Sequence, residues 1–245
     1  IFTAQSAKNL AKSVLKLIGM GGLLGGIVKA VRSFSKIIDG IGQEFGAIGV
    51  VTPQIQKNLA DASVEVISLG KGTADVTQLT SELSSNFGVG LSEASKLNNQ
   101  VLDTGVALGL STSEAGKLFG TFMQIGGLSA DQAEVLAEQT FQLAAQNDVN
   151  PSAVMRDMAE SSETIAKFGA KNLQSITRTA IKARQLGMNL SDIAGAAEGF
   201  LNFQDSITKE FEAEVILGRD LELTRARQLA LAGDLDGVMS EIIKN

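Results

Sequence analysis

The chain has 245 residues, 26 Gly, 2 Pro, 11 Phe and no Cys, His, Trp or Tyr, and a formal charge of −6. That length can bury a real core. The missing residue types exclude Ser-His-Asp and Cys-His nucleophile systems, disulfides and the usual zinc sites, and leave only Phe to stack on nucleic-acid bases.

The ends come first. Ile1 stands where a full gene product carries Met, and the run Val238 to Lys244 still reads as helix without a stop signal. We therefore expect the ordered part of a longer polypeptide or a processed product. Lys8, Lys12 and Lys16 precede no small-residue cleavage site, so no signal peptide is read.

The strongest periodicity lies in residues 10–48. Alternating steps of three and four give Leu10, Ser13, Leu17, Met20, Leu24, Ile27, Val31, Phe34, Ile38, Ile41, Phe45 and Ile48, and only Ser13 is not apolar. A straight helix drifts about 20° per heptad against this register. A seam held so long favours supercoiling of helix on helix, and we read Leu17 to Ile48 as the interface of a coiled coil. Val14, Ile18, Leu23, Val28 and Ile37 widen the stripe, and nine glycines fall between Gly19 and Gly49. An exposed helix interior loses about 1 kcal/mol per Gly. Closely packed helices tolerate them, because Gly lets backbones approach.

Between Lys16 and Lys29 lie twelve uncharged residues. That is short of the roughly 20 needed to span a bilayer. Insertion conditional on another event is the alternative use of this segment.

Charge shifts along the chain: net +4 over residues 1–53, −9 over 54–165 and −1 over 166–245. A basic head on an acidic body can mark an anionic partner. No cluster here reaches the density of a nucleic-acid patch, so we read the six Lys/Arg of the head as a wet helix face and expect no sequence-specific nucleic-acid binding.

Pro53 follows Thr52 and Pro151 follows Asn150, each an N-cap with Pro in the first helical turn. No strand-like alternation appears. The fold class is therefore all-α: a Gly-rich heptad helix over 1–52, a helical linker over 53–88, and a bundle of short antiparallel helices over 89–245.

After residue 88 a corner recurs as Gly90-Leu91-Ser92, Gly109-Leu110-Ser111, Gly127-Leu128-Ser129 and Gly187-Met188-Asn189, with Asp148-Val149-Asn150-Pro151 as a Gly-less variant. Gly ends one helix in a left-handed cap and Ser or Asn opens the next. Ser111 with Glu114, and Ser129 with Gln132, have the spacing of capping boxes. True repeat ancestry and ordinary helix corners fit this pattern equally; the irregular period favours a compact bundle over a solenoid.

Chemistry-bearing clusters are few. Glu210 and Glu214 share a helix face, but no second motif accompanies them, so the Glu210 to Glu214 stretch is read as a solvated face. Arg219, Arg225 and Arg227 are expected to pair with Glu212, Glu214, Asp220 or Glu222. Gly70-Lys71-Gly72 lacks the strand and the spaced Gly of a phosphate loop. We assign no catalytic residue, no cofactor and no metal, and read the protein as not an enzyme.

Three stretches resemble phage tail tape measure proteins of the contractile-tailed type. They are the Gly-rich heptad segment Gly19 to Gly49, the capped corners Gly109 to Ala115 and Gly127 to Ala133, and the run Leu217 to Leu235. The resemblance implies a helical rod in the lumen of the tail tube near the baseplate, commonly three chains, whose length sets tail length. It implies tail tube and baseplate hub or tail tip proteins as partners, and release during genome ejection, when the rod meets the host inner membrane. Some relatives carry peptidoglycan-cleaving domains; no such site is recognisable here. The alternative from another class is a membrane-active helical protein of pore-forming or translocator type, supported by the Lys16 to Lys29 segment.

Overall fold

The computed structural model describes residues 52–169 and 172–244. The heptad seam from Leu17 to Ile48 and the Lys16 to Lys29 segment lie outside the described residues. Within them the protein is all-helical, with 81% helix and no strand.

The chain divides into two compact units. In the first, α1 (Pro53–Glu65) runs into a 3-10 turn (Val66–Leu69), α2 (Thr73–Ser81) into a π turn (Glu82–Asn86), and α3 (Leu91–Ala107) follows. Residues 111–116, which open α4 (Thr112–Gly120), also belong here. Helix α1 buries Ile55, Leu59 and Ala62, a spacing of four and three that lines one face. These pack with Val76 and Leu79 of α2 and with Val101 and Leu102 of α3. Each fully buried Leu or Val contributes about 1.5–3 kcal/mol. A polar thread crosses this core: Asn98, fully buried, donates from Nδ2 to Thr80 Oγ1 at 2.9 Å, and Asn58 donates to Ser95 Oγ at 3.0 Å. Helix α4 comes close to α3 because residue 105 is Gly: a Cβ there would lie 2.7 Å from Ala115 Cβ.

The second unit takes in residues 108–110 and 117–245. A π turn (Thr121–Ile125) ends α4, and α5 (Ala130–Gln146), α6 (Pro151–Glu160), the one-turn α7 (Ser162–Thr164) and a π turn (Ile165–Gly169) follow. Then come α8 (Leu173–Gln185), α9 (Leu190–Leu201), α10 (Phe203–Leu217), α11 (Thr224–Leu231) and α12 (Leu235–Lys244). Helix α8 buries Leu173, Ile176, Ala180 and Ile181, meeting Met155 and Met158 of α6 and Val238 and Met239 of α12. Helix α9 packs on α10, α11 and α12 through Leu190, Ile193 and Ala197.

The corners follow the chemistry read from the sequence, with one correction. Gly109, Gly127 and Gly187 have φ of 71°, 66° and 74°, a left-handed region open to Gly at little cost. Ser111 and Glu114, Ser129 and Gln132, and Asn189 and Asp192 each exchange the two hydrogen bonds of a capping box. In the Gly-less variant Asp148 itself adopts φ 58°, and Asn150 Oδ1 accepts from Ala153 N–H at 3.2 Å. The correction is Gly90-Leu91-Ser92. Here Gly88 is the left-handed residue, with φ 68°; the Gly90 carbonyl accepts the first helical bonds from Glu93 and Ala94, and Ser92 already lies inside α3. The preceding π turn ends at Asn86, and Val89 N–H reaches back to the Leu83 carbonyl, so the helix stop falls two residues early.

Candidate functional site

Helix α10 carries the carboxylate cluster singled out in the sequence, and the structure corrects its reading as a solvated face. Its body-facing side is polar. Ser206 is buried and Glu210 and Glu214 are half-buried. Arg227, on α11 between the buried Ala226 and Ala230, is itself buried. Its Nε donates to Ser206 Oγ at 2.5 Å, and its terminal nitrogen Nη2 donates to Glu210 Oε2. The other Glu210 oxygen accepts from Leu223 N–H at 2.8 Å, and Glu214 Oε1 accepts from Leu221 N–H at 2.8 Å.

Gly218, at φ 67°, ends α10 and turns the chain into this loop. Both carboxylates are therefore spent on fixing residues 218–223 against α10, since an unpaired backbone N–H would cost about as much as a lost hydrogen bond. Two of the arginine pairings differ from the expected ones. Arg227 pairs with Glu210 and Arg225 with Glu241, at 3.2 Å. Glu210 lies 17 positions from Arg227, so chain proximity did not identify the pair.

Beside this polar row, at i−3 to its members, α10 carries a second row that is apolar and open, and the apolar residues at its end are open too. Phe203, Ile207, Phe211, Val215, Ile216 and Leu217 are all exposed.

Two further ionic clusters fasten helices together. Asp157 of α6 is buried; its Oδ2 accepts from Leu190 N–H, the first amide of α9, at 3.0 Å. Arg184 Nε of α8 lies 3.4 Å from the same oxygen as an ion pair, without the alignment of a hydrogen bond. Burial pushes the Asp157 carboxyl above the usual aspartate range, against the opposing pull of the Leu190 amide and Arg184. In the first unit, Asp75 accepts from Thr112 Oγ1 at 2.5 Å and from Gly72 N–H at 2.9 Å, with Lys71 Nζ 3.5 Å away. Burial works against its charge, but the Thr112 and Gly72 hydrogen bonds and Lys71 outweigh it, and the carboxyl sits below its usual range. Lys71 of Gly70-Lys71-Gly72 also donates to Thr112 Oγ1 at 3.1 Å. That side chain is turned into its own fold, toward Thr112 and Asp75.

Comparison with protein-family models, curated proteins and solved structures finds no match.

Among the described residues no group of three carboxylates is placed to hold a metal ion, and no helix is long and apolar enough to cross a membrane. The structure thus brings Glu210 together with Arg227, Ser206 and the loop amides. Sequence reading missed Ser206, and it named Arg227 without its partner Glu210. Neither sits in a motif; only a buried Arg beside alanines on α11 hinted that a carboxylate had to meet it.

Proposed function

We propose that the chain is a structural segment of a phage tail tape measure protein, held near the baseplate inside the tail tube, released on genome ejection and without catalytic activity. In this reading residues 1–52 form a trimeric coiled coil through Leu17, Met20, Leu24, Ile27, Val31, Phe34, Ile38, Ile41, Phe45 and Ile48, and a bundle of short antiparallel helices follows it in the chain. Tail tube and hub or tip proteins are its partners. The observation that carries the reading is the helix-only fold of the described residues, joined by locally capped corners in the stretches that resemble the family.

Proteomics of purified tailed particles encoding the chain tests it. The chain is expected in a longer product that co-purifies with tube and baseplate subunits; its absence from assembled tails overturns the reading. Sedimentation of the full chain tests the seam separately: wild type is expected at three times the monomer mass and Leu24→Asp/Ile38→Asp at the monomer mass. A monomeric wild type overturns the seam. Release of dye from liposomes by wild-type chain would replace the structural reading with a membrane-active one.

A further inference from the structure

Successive corners are unevenly spaced, but every second one falls at a constant distance. Gly70, Gly109, Asp148 and Gly187 have φ of 72°, 71°, 58° and 74°, each 39 positions after the one before. Two residues on, the same spacing carries the helix N-caps Gly72, Ser111, Asn150 and Asn189. The helices they open begin at Thr73, Thr112, Pro151 and Leu190, and the helices that close each span end at Ala107, Gln146 and Gln185. Between them a π turn recurs at Glu82–Asn86 and Thr121–Ile125, and a left-handed glycine at Gly88 and Gly127.

The core keeps the same register. In the opening helices Val76, Ala115, Val154 and Ile193 are buried at one position, and Thr80, Phe119, Met158 and Ala197 at another. In the closing helices, with α1 and its 3-10 turn as the first, Leu59, Asn98, Ala137 and Ile176 are buried, and so are Val66, Gly105, Ala144 and Ala183. These side chains differ in size and polarity, so composition does not produce the match.

The third span shows what is held constant. Its π turn starts at Ile165, not at Glu160 where the spacing would put it. Its closing helix α8 has 13 residues where α3 and α5 have 17. The added and missing residues offset each other, and the corner at Gly187 keeps its place. Capping chemistry fixes each corner but not the distance to the next.

We infer that residues 72–188 are three copies of one 39-residue module: an opening helix, a turn and a closing helix. A lone closing helix, α1, precedes them and a lone opening helix, α9, follows. Such a helix pair cannot bury its apolar face alone and is covered by neighbouring copies. Thr112 of the second copy meets Asp75 of the first, the π turns of the second and third copies touch, and Leu190 N–H of α9 meets Asp157 of the third. The fold can therefore gain or lose a whole module and keep every cap and corner, but not half of one. The register does not depend on the proposed function.

Three variants of the full chain test it. Removing residues 111–149 joins Leu110 to Asn150 and leaves the corner Gly109-Leu110-Asn150-Pro151. Repeating residues 111–149 once after Val149 adds a module with matching junctions. Removing only residues 129–149 joins Leu128 to Asn150; it keeps an equally good corner, Gly127-Leu128-Asn150-Pro151, but takes out half a module. Circular dichroism and urea unfolding read the result. Both whole-module variants are expected to unfold in a cooperative transition with wild-type helicity per residue. Their far-UV ellipticity per mole should be lower by about a sixth after removal and higher by about a sixth after repetition, in line with 39 of 245 residues. The half-module variant, though the smaller deletion, is expected to lose the cooperative transition. Loss of the transition in both whole-module variants, or wild-type unfolding of the half-module variant, overturns the inference.

Discussion

Arg227 and Glu210 form an ion pair in which only 7% and 13% of their side chains remain exposed, between a helix that shows solvent its apolar side and a loop held by two amide bonds. Removing one partner of such a pair leaves the other charged and buried. Arg227→Ala is therefore expected to destabilise the second unit by about 3 kcal/mol, measured by urea denaturation. Replacing both, as Arg227→Met/Glu210→Met, is expected to cost less than the sum of the single changes. Additive losses would mean that the two side chains act independently.

The two perturbed aspartates predict opposite pH responses. The folded-state pKa of Asp157 is raised, so the folded unit binds protons more readily than the unfolded chain; stability falls as pH climbs from the usual aspartate value through the raised one. Asp157→Asn keeps an acceptor for Leu190 N–H and removes the buried charge. It should stabilise at pH 7, and the gain should shrink as pH drops through that window.

Asp75 runs the other way. Its folded-state pKa is lowered, so its contribution is present above the usual aspartate value and is lost as pH falls through the lowered one. Asp75→Asn should destabilise at pH 7, with the difference vanishing in acid. Thermal melts of both variants from pH 3 to 7 check the two slopes; slopes of the same sign for both would contradict these assignments.

The corners give a third set. Gly127 has φ 66° and open space where a Cβ would stand, so Gly127→Ala should cost about 1 kcal/mol from the backbone alone. Ser129→Ala removes the cap of α5 and should cost about 1 kcal/mol. Asp148→Gly relieves a left-handed aspartate and should raise stability by about 0.5 kcal/mol. Chemical denaturation of the three variants measures them on one scale.

Close helix approach gives a fourth. A Cβ on Gly169 would stand 2.6 Å from Ile176 Cγ1, where backbone meets a buried isoleucine. Gly169→Ala is expected to cost 1–3 kcal/mol as overpacking, and Gly169→Ala/Ile176→Val to recover part of it in the same denaturation assay.

What the sequence disclosed and what it hid divide along range. The capped corners at Gly109, Gly127, Asp148 and Gly187 are written in four or five consecutive residues, and their chemistry could be read directly. Gly90 shows the limit: the left-handed turn needed Gly at 88, and two glycines two residues apart carry the same local signal. The pairs Arg227 with Glu210 and Arg184 with Asp157 link residues 17 and 27 positions apart, and nothing local ranks one carboxylate above another. The same blindness hid the outward stripe of α10, because Phe203, Ile207 and Phe211 have the spacing of a core face, and only the position of Arg227 decides which side faces the body.

The corners carry a kinetic consequence. Each capping box joins residues three positions apart and waits for no distant contact. A chain drawn out to full length and then released can recover its helix starts on the timescale of single helices, about a microsecond. The clasp between Arg227 and Glu210 links two helices across the turn at Gly218 and forms only when both meet, so starting the helices and joining them are separate events.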